Sequence, residues 1–250
     1  MHHGICHLNI VPIRVLAEDA SEMVTQLLYG DHFKILEKRK FWSKIRDAYD
    51  GSEGWVRNNQ FVPIEKSDYQ SLKTSVEHKF SSDLVSYVND AQKVMIPIVL
   101  GSSLKSLKLL SHQFDGDSIN EKKGKSNLII TALYYLNAPY LWGGKTPFGI
   151  DAPGFTQMTY KINGYPLLRR AEEQAAQGEA LSFIEESEPG DLAFFDNNEG
   201  QITHVGLIMQ DNFIIHVFGK VRIDRLDHTG IFNTEQRKYT HKLRVIKKVI

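Results

Sequence analysis

A single cysteine, Cys6, stands in a chain of 250 residues, which excludes an internal disulfide. Among Ile5, Leu8, Ile10 and Val11 it reads as a small buried strand residue, not a reactive thiol. Neither sign of charge is in excess: 30 Lys and Arg balance 30 Asp and Glu. That balance leaves no electrostatic footprint for a nucleic acid or an anionic membrane as partner. No apolar run approaches the roughly 20 residues that a membrane helix needs. The start, Met-His-His-Gly-Ile-Cys-His-Leu, has neither the basic nor the long apolar region of a secretory leader, which predicts a cytoplasmic protein. Metal-ligand spacing is also missing. His2, His3 and His7 cluster, but no carboxylate or further histidine completes a ligand set. There is no Gly-rich phosphate loop, so neither metal nor cofactor is expected.

What is present is ordinary globular material, with 42% hydrophobic and 24% charged residues, enough to bury a core. From residue 1 to about 64, short alternating apolar segments follow one another with turn signals between them. They are Ile10 to Arg14, Met23 to Leu28, Phe33 to Leu36, Trp42 to Arg46 and Gly54 to Val56. Such spacing predicts a small β-barrel. Residues 65–125 are harder to read. Asp68 to Phe80 suits a short helix or linker, and Leu84 to Val88 and Val94 to Leu100 suit strands. Pro97 assigns the second of these to an edge or bulge. The stretch is read as a second, degenerate barrel or a linker.

Over 126–250 the periodicity changes. Ser126 is a candidate N-cap for a helix whose face holds Leu128, Ile129, Ala132, Leu133 and Leu136, and which Asn137-Ala138-Pro139 ends. A second helix is predicted from about 153 to 163 and a third from Arg170 to Gln177. Strands follow at Leu192 to Phe195, His204 to Met209, Phe213 to Val217 and Val221 to Ile223, with a last one from Lys242 to the end. Helices followed by an antiparallel sheet predict an α+β domain.

The stretch with most chemical information is Tyr140 to Gln157, Y-L-W-G-G-K-T-P-F-G-I-D-A-P-G-F-T-Q. Glycines lead to Asp151, a natural cap, and Pro153 suits a first helical position, where a missing N–H costs nothing. A helix start favours an ionised group, and a thiol there has its pKa lowered. The residue in that place is Ala152, which can do no chemistry.

Tyr140-x-Trp142-Gly143-Gly144 and Gly149-Ile150-Asp151-x-x-Gly154-Phe155 resemble the NlpC-type family of papain-like cysteine peptidases, which cut bacterial cell-wall peptides. Glu188-Pro189-Gly190-Asp191-Leu192, Thr203-His204-Val205-Gly206 and Ile214-Ile215-His216 follow in the family's order, so the resemblance spans roughly residues 125 to 233. It implies a papain-like NlpC-type catalytic domain. The segments Val11 to Arg14, Trp42 to Arg46 and Glu53 to Val56 resemble a bacterial SH3-like domain, so an SH3-like β-barrel region would precede the catalytic domain.

By that resemblance, position 152 is the nucleophile's, His204 the general base and His216 the residue that orients it. Tyr140 and Asp151 would face a substrate with a free L-Ala amine, beside Pro153, where the family has Ser. Glu53 would help to close one end of the groove. Trp55 and Trp142 are read as packing residues. The implied partner is a murein peptide, L-Ala-γ-D-Glu-diamino acid, cut between D-Glu and the diamino acid during murein peptide recycling.

The family's Cys-Ser is Ala152-Pro153 here, and its Pro-Arg-Asp-Ala is Leu168-Arg169-Arg170-Ala171. Thr156 lies a turn further along the helix and does not substitute. Natural loss, a deliberate exchange and a compensated frame slip each yield this pair; natural loss is preferred because both residues differ. The expectation is a pseudoenzyme, with no peptidase activity. The alternative role is non-catalytic binding or sensing of cell-wall peptide.

Overall fold

Alternation of apolar and polar residues gives seven short strands at the start of the chain. They are β1 (His2–Ile5), β2 (Ile10–Arg14), β3 (Met23–Leu28), β4 (His32–Lys38), β5 (Trp42–Asp47), β6 (Glu53–Arg57) and β7 (Val62–Ile64). The structure, a computed structural model, describes residues 2–250. The seven strands form an antiparallel sheet in the order β3-β2-β6-β5-β4-β1-β7, which makes the SH3-like β-barrel region. Its inward positions, among them Val11, Ile13, Leu27, Phe33, Ile45 and Val56, meet Cys6 in one core. Gly54 lets β6 cross β2 closely: a Cβ there would stand 2.5 Å from the Ile13 side chain and 2.6 Å from the Arg14 carbonyl.

Helix α1 (Lys66–Thr74) buries Tyr69, whose ring stacks on His3 with centroids 4.3 Å apart. Then come β8 (Phe80–Ser81), β9 (Val85–Asn89), β10 (Met95–Val99), α2 (Leu107–Leu110), β11 (Gln113–Phe114) and β12 (Ser118–Ile119). Strands β10-β9-β11 make a small sheet with β10 at its edge. Pro97 sits in that edge strand, where its missing N–H breaks no ladder. These elements and the barrel form one compact unit that ends at Lys122. A second barrel over 65–125 stays a proposal.

The second unit, Lys123–Ile250, opens with α3 (Asn127–Leu133), β13 (Lys145–Thr146), β14 (Gly149–Ile150), α4 (Ala152–Ile162) and α5 (Ala171–Ala175). The strands after them are β15 (Glu179–Leu181), β16 (Leu192–Asp196), β17 (Ile202–Ile208), β18 (Phe213–Phe218), β19 (Lys220–Leu226), β20 (Gly230–Asn233) and β21 (Lys238–Lys248). The sheet order is β15-β21-β16-β17-β18-β19-β20, and β21 is long enough to pair with β20 as well. Helix α4 packs on α3, β17 and β18, which leaves it buried on nearly every side. This is the papain-like α+β arrangement: a central helix laid across an antiparallel sheet.

Three details depart from the sequence expectation. Ser126 precedes α3 but makes no side-chain cap and has helical φ and ψ. Helix α3 stops at Leu133, and the chain reaches Asn137 through tight bonds such as Tyr135 N–H to the Ala132 carbonyl, 3.1 Å. Helix α4 begins one residue earlier than predicted, so Ala152 holds the first helical position and Pro153 the second. Pro153 still fits, because N–H groups of the first turn have no partner inside the helix.

Candidate active site

The N-terminus of α4 is set by close backbone approach. A Cβ on Gly144 would stand 2.4 Å from the Gly149 carbonyl, and one on Gly154 would stand 2.4 Å from that of Gly144. Only glycines let the 143–154 loop fold on itself this tightly. Asp151 caps the helix, with Oδ1 accepting from Gly154 N–H at 2.7 Å and Oδ2 from Gly143 N–H at 2.8 Å. Arg169 donates to both oxygens, at 3.0 and 2.7 Å, and the pair is buried.

Ala152 follows, 5% exposed, with its methyl group where the helix dipole would hold a thiolate. Pro153 gives its carbonyl to Gln174 Nε2 at 2.9 Å. Thr156 donates to Gln174 Oε1 at 2.7 Å and is fully buried, so its hydroxyl is committed to the helix–helix contact.

Strand register builds the other half of the site. Gly206 on β17 pairs with His216 on β18, so His204, two residues back, lies diagonally from His216 on the same face. His216 pairs with Arg222 on β19, and Asp224, two residues on, lies diagonally again. Gly206 leaves room for this: its Cβ would stand 2.9 Å from that of His216. The result is a relay across three strands, with His204 Nε2 3.0 Å from His216 Nδ1, and His216 Nε2 3.0 Å from Asp224 Oδ2. Arg222 grips the same carboxylate through Nε at 2.7 Å and its second nitrogen at 3.0 Å.

The proton positions follow from the partners. An ionised Asp224 only accepts, so His216 Nε2 carries a hydrogen and Nδ1 a lone pair. His204 Nε2 therefore donates to His216 Nδ1, and His204 Nδ1 is left as a free base. That is the tautomer a thiol peptidase requires of its histidine.

Burial holds these imidazoles neutral. It lowers His204 well below its ordinary 6.5, with the neighbouring His241 and His216 adding to the effect. His216 is lowered by burial, with Asp224 working against the shift. For Asp224, burial alone would raise the carboxyl, but hydrogen bonds from His216 and Arg222 outweigh it and hold it low.

Within this unit the fold sets Tyr140 beside Asp151 and brings His204 to His216. Tyr140 is 47% exposed, and partial burial together with the Asp151 charge raises its hydroxyl pKa. Trp142 is 58% exposed, so it is not the packing residue expected. The loop it sits in runs over the surface, and its glycines bury backbone, not the indole. Trp55 is buried as expected and lies under the Arg39 guanidinium at 4.1 Å. Glu53 belongs to the first unit, on β6, where Arg46 at 2.5 Å and Lys44 at 3.4 Å hold its carboxyl low.

Sequence reading missed Asp224, the buried role of Arg169, and His241. The last strand begins at Lys238, four residues before the predicted start, and this carries His241 into the site. Its ring stacks on His204 with centroids 4.0 Å apart and planes 24° apart. The signal was available: the alternation Tyr239, His241, Leu243, Val245 continues the strand backwards.

Residues 137–241 match the NlpC/P60 family, and residues 13–61 match the bacterial dipeptidyl-peptidase Sh3 domain. The gamma-D-glutamyl-L-lysine dipeptidyl-peptidase of Bacillus subtilis (strain 168) is 26% identical over 232 residues, covering 85% of this chain and 74% of that protein. Dipeptidyl-peptidase 6 of Lysinibacillus sphaericus is 26% identical over 246 residues, covering 83% and 85%. The crystal structure of an NlpC/P60 family protein from Bacillus cereus superposes with a TM-score of 0.81 at 17% identity, over 99% of both chains. Residues 13–61 are therefore a bacterial SH3 domain and residues 137–241 an NlpC/P60 domain, in the fold of an NlpC/P60 family protein.

Proposed function

We propose that the second unit is a murein-peptide site of the γ-D-glutamyl–diamino acid type that holds its ligand without cutting it. One observation carries the reading. The His204–His216–Asp224 relay is complete, and its two histidine strands pack against helix α4, whose first position is Ala152. In a hydrolytic version, a thiolate at position 152 attacks the γ-carbonyl carbon of D-Glu. His204 passes its proton to the departing amine, and water then releases the acyl group as the acid. The chain as written lacks the attacking atom, and removal of a nucleophile leaves only residual catalysis.

The names of the Bacillus subtilis and Lysinibacillus sphaericus relatives support dipeptidyl-peptidase chemistry, and the former's name supports the γ-D-glutamyl bond. On this reading the ligand is L-Ala-γ-D-Glu-diamino acid, with Tyr140 and the Asp151–Arg169 pair near its free amine. The protein would meet such peptides in the cytoplasm, as products of wall turnover. Titrating the tripeptide into the protein and following it by calorimetry and chromatography tests this. Binding without cleavage supports it, and the absence of binding contradicts it.

A further inference from the structure

We propose that His204, His216 and His241 form a binding site for a divalent transition-metal ion of the zinc class. One nitrogen from each ring lies within 4.8 Å of the others, and no other such group of His, Cys, Asp or Glu occurs among the described residues. Sequence spacing could not show it, because the three histidines reach one place on three strands, β17, β18 and β21.

Two of the nitrogens that face away from the cluster already have partners. His216 Nε2 lies on the Asp224 carboxylate at 3.0 Å, and His241 Nδ1 on the Thr240 hydroxyl at 2.9 Å. A carboxylate behind a ligating histidine is the usual outer partner of a zinc ligand, since it fixes the tautomer and raises basicity. Arg222 and Asn233 in turn hold Asp224. This leaves His216 Nδ1, His241 Nε2 and His204 Nε2 as the inward atoms. The hydrolytic relay does not use His241.

The metal would take the place of the proton shared by His204 and His216. Their nitrogens stand 3.0 Å apart. Two nitrogens each about 2.1 Å from one zinc ion in tetrahedral geometry are about 3.4 Å apart, so the pair opens by a few tenths of an ångström. His241, whose nitrogen lies within 4.8 Å of the other two, closes by at most about 1.4 Å to reach that spacing, turning out of the stack on His204. No proton is lost from the rings: the hydrogen on His204 Nε2 moves to Nδ1 as Nε2 becomes a ligand. Three imidazoles leave the fourth position to water. Metal binding and base catalysis by His204 Nδ1 then exclude each other, and this holds whether or not the groove takes a murein peptide.

The test is titration of the full chain, freed of metal by a chelator, with Co²⁺ and then Zn²⁺. One equivalent of Co²⁺ should give the visible bands of a tetrahedral centre, and Zn²⁺ should displace it. His241→Phe keeps a stacked ring but no nitrogen, and should weaken binding by more than about 100-fold, beyond what loss of an outer partner costs. Asp224→Asn should weaken it by about 10–100-fold. A readout free of variants is the long-range imidazole ¹H–¹⁵N spectrum, in which Zn²⁺ should move the His204 proton from Nε2 to Nδ1. No stoichiometric binding, equal affinity in His241→Phe, or an unmoved His204 tautomer overturns the proposal.

Discussion

Asp151 and Arg169 form a doubly hydrogen-bonded ion pair, at 3.0 and 2.7 Å, directly in front of the helix that presents Ala152. Both side chains are buried, and Asp151 also accepts two backbone N–H groups, so one carboxylate fixes the 143–154 loop and the start of α4 together. Planar, two-pronged contact of this kind is specific to arginine.

Removing the arginine alone strands a buried negative charge. Arg169→Met should cost about 3–5 kcal/mol, and the double change Asp151→Asn, Arg169→Met should cost less than the single one. Urea denaturation of the variants measures both. Equal losses would mean that the pair is solvated and holds nothing in place.

Stability should fall with acid over a defined window. Burial lowers His241 from 6.5 to about 4 and holds His204 well below its ordinary value, so the unfolded chain binds more protons than the folded one below pH 6.5. Stability therefore rises with pH through that range and is lost as pH falls from 6.5 toward 4. Denaturation midpoints measured across this range should drop less steeply for His241→Phe. Parallel curves would contradict the assignment.

An introduced thiol should report the local field. In Ala152→Cys the new group sits at the first position of α4, on a helix packed against the strand of His204. Its pKa should lie below about 7.5, against about 8.5 for a free cysteine. Alkylation rate against pH reads this cleanly, because Cys6 is fully buried and its own thiol is pushed up by that burial. A midpoint near that of free cysteine would show that neither the dipole nor His204 acts there.

Asp224 acts through His216 and not on substrate. In an Ala152→Cys, Pro153→Ser background, Asp224→Asn should lower kcat on the order of 10²-fold, with KM little changed, since it frees the tautomer of a positioned base. A loss confined to KM would place Asp224 in binding.

The barrel and the central helix were legible because their signals are local. Alternation marked Val11 and Ile13 as inward, and Asp151 with three glycines marked a capped helix start. His204 and His216 could be read because each sits within a motif. Asp224 and His241 lie inside their strands, just beyond the ends expected from sequence: the predicted strands stop at Ile223 and begin at Lys242, one residue short in each case. What brings these two residues to the site is pairing register, a long-range property: local alternation extends the last strand back to His241 but does not say which residues it meets across the sheet. The Asp151–Arg169 pair is hidden for the same reason, since 18 residues separate its members.

The central claim is that the site is complete except for its nucleophile. The direct test compares the chain as written with its Ala152→Cys, Pro153→Ser variant, metal-free, on L-Ala-γ-D-Glu-diamino acid, with the products separated by chromatography. The account predicts cleavage between D-Glu and the diamino acid by the variant alone. Cleavage by the chain as written, or by neither protein, would contradict it.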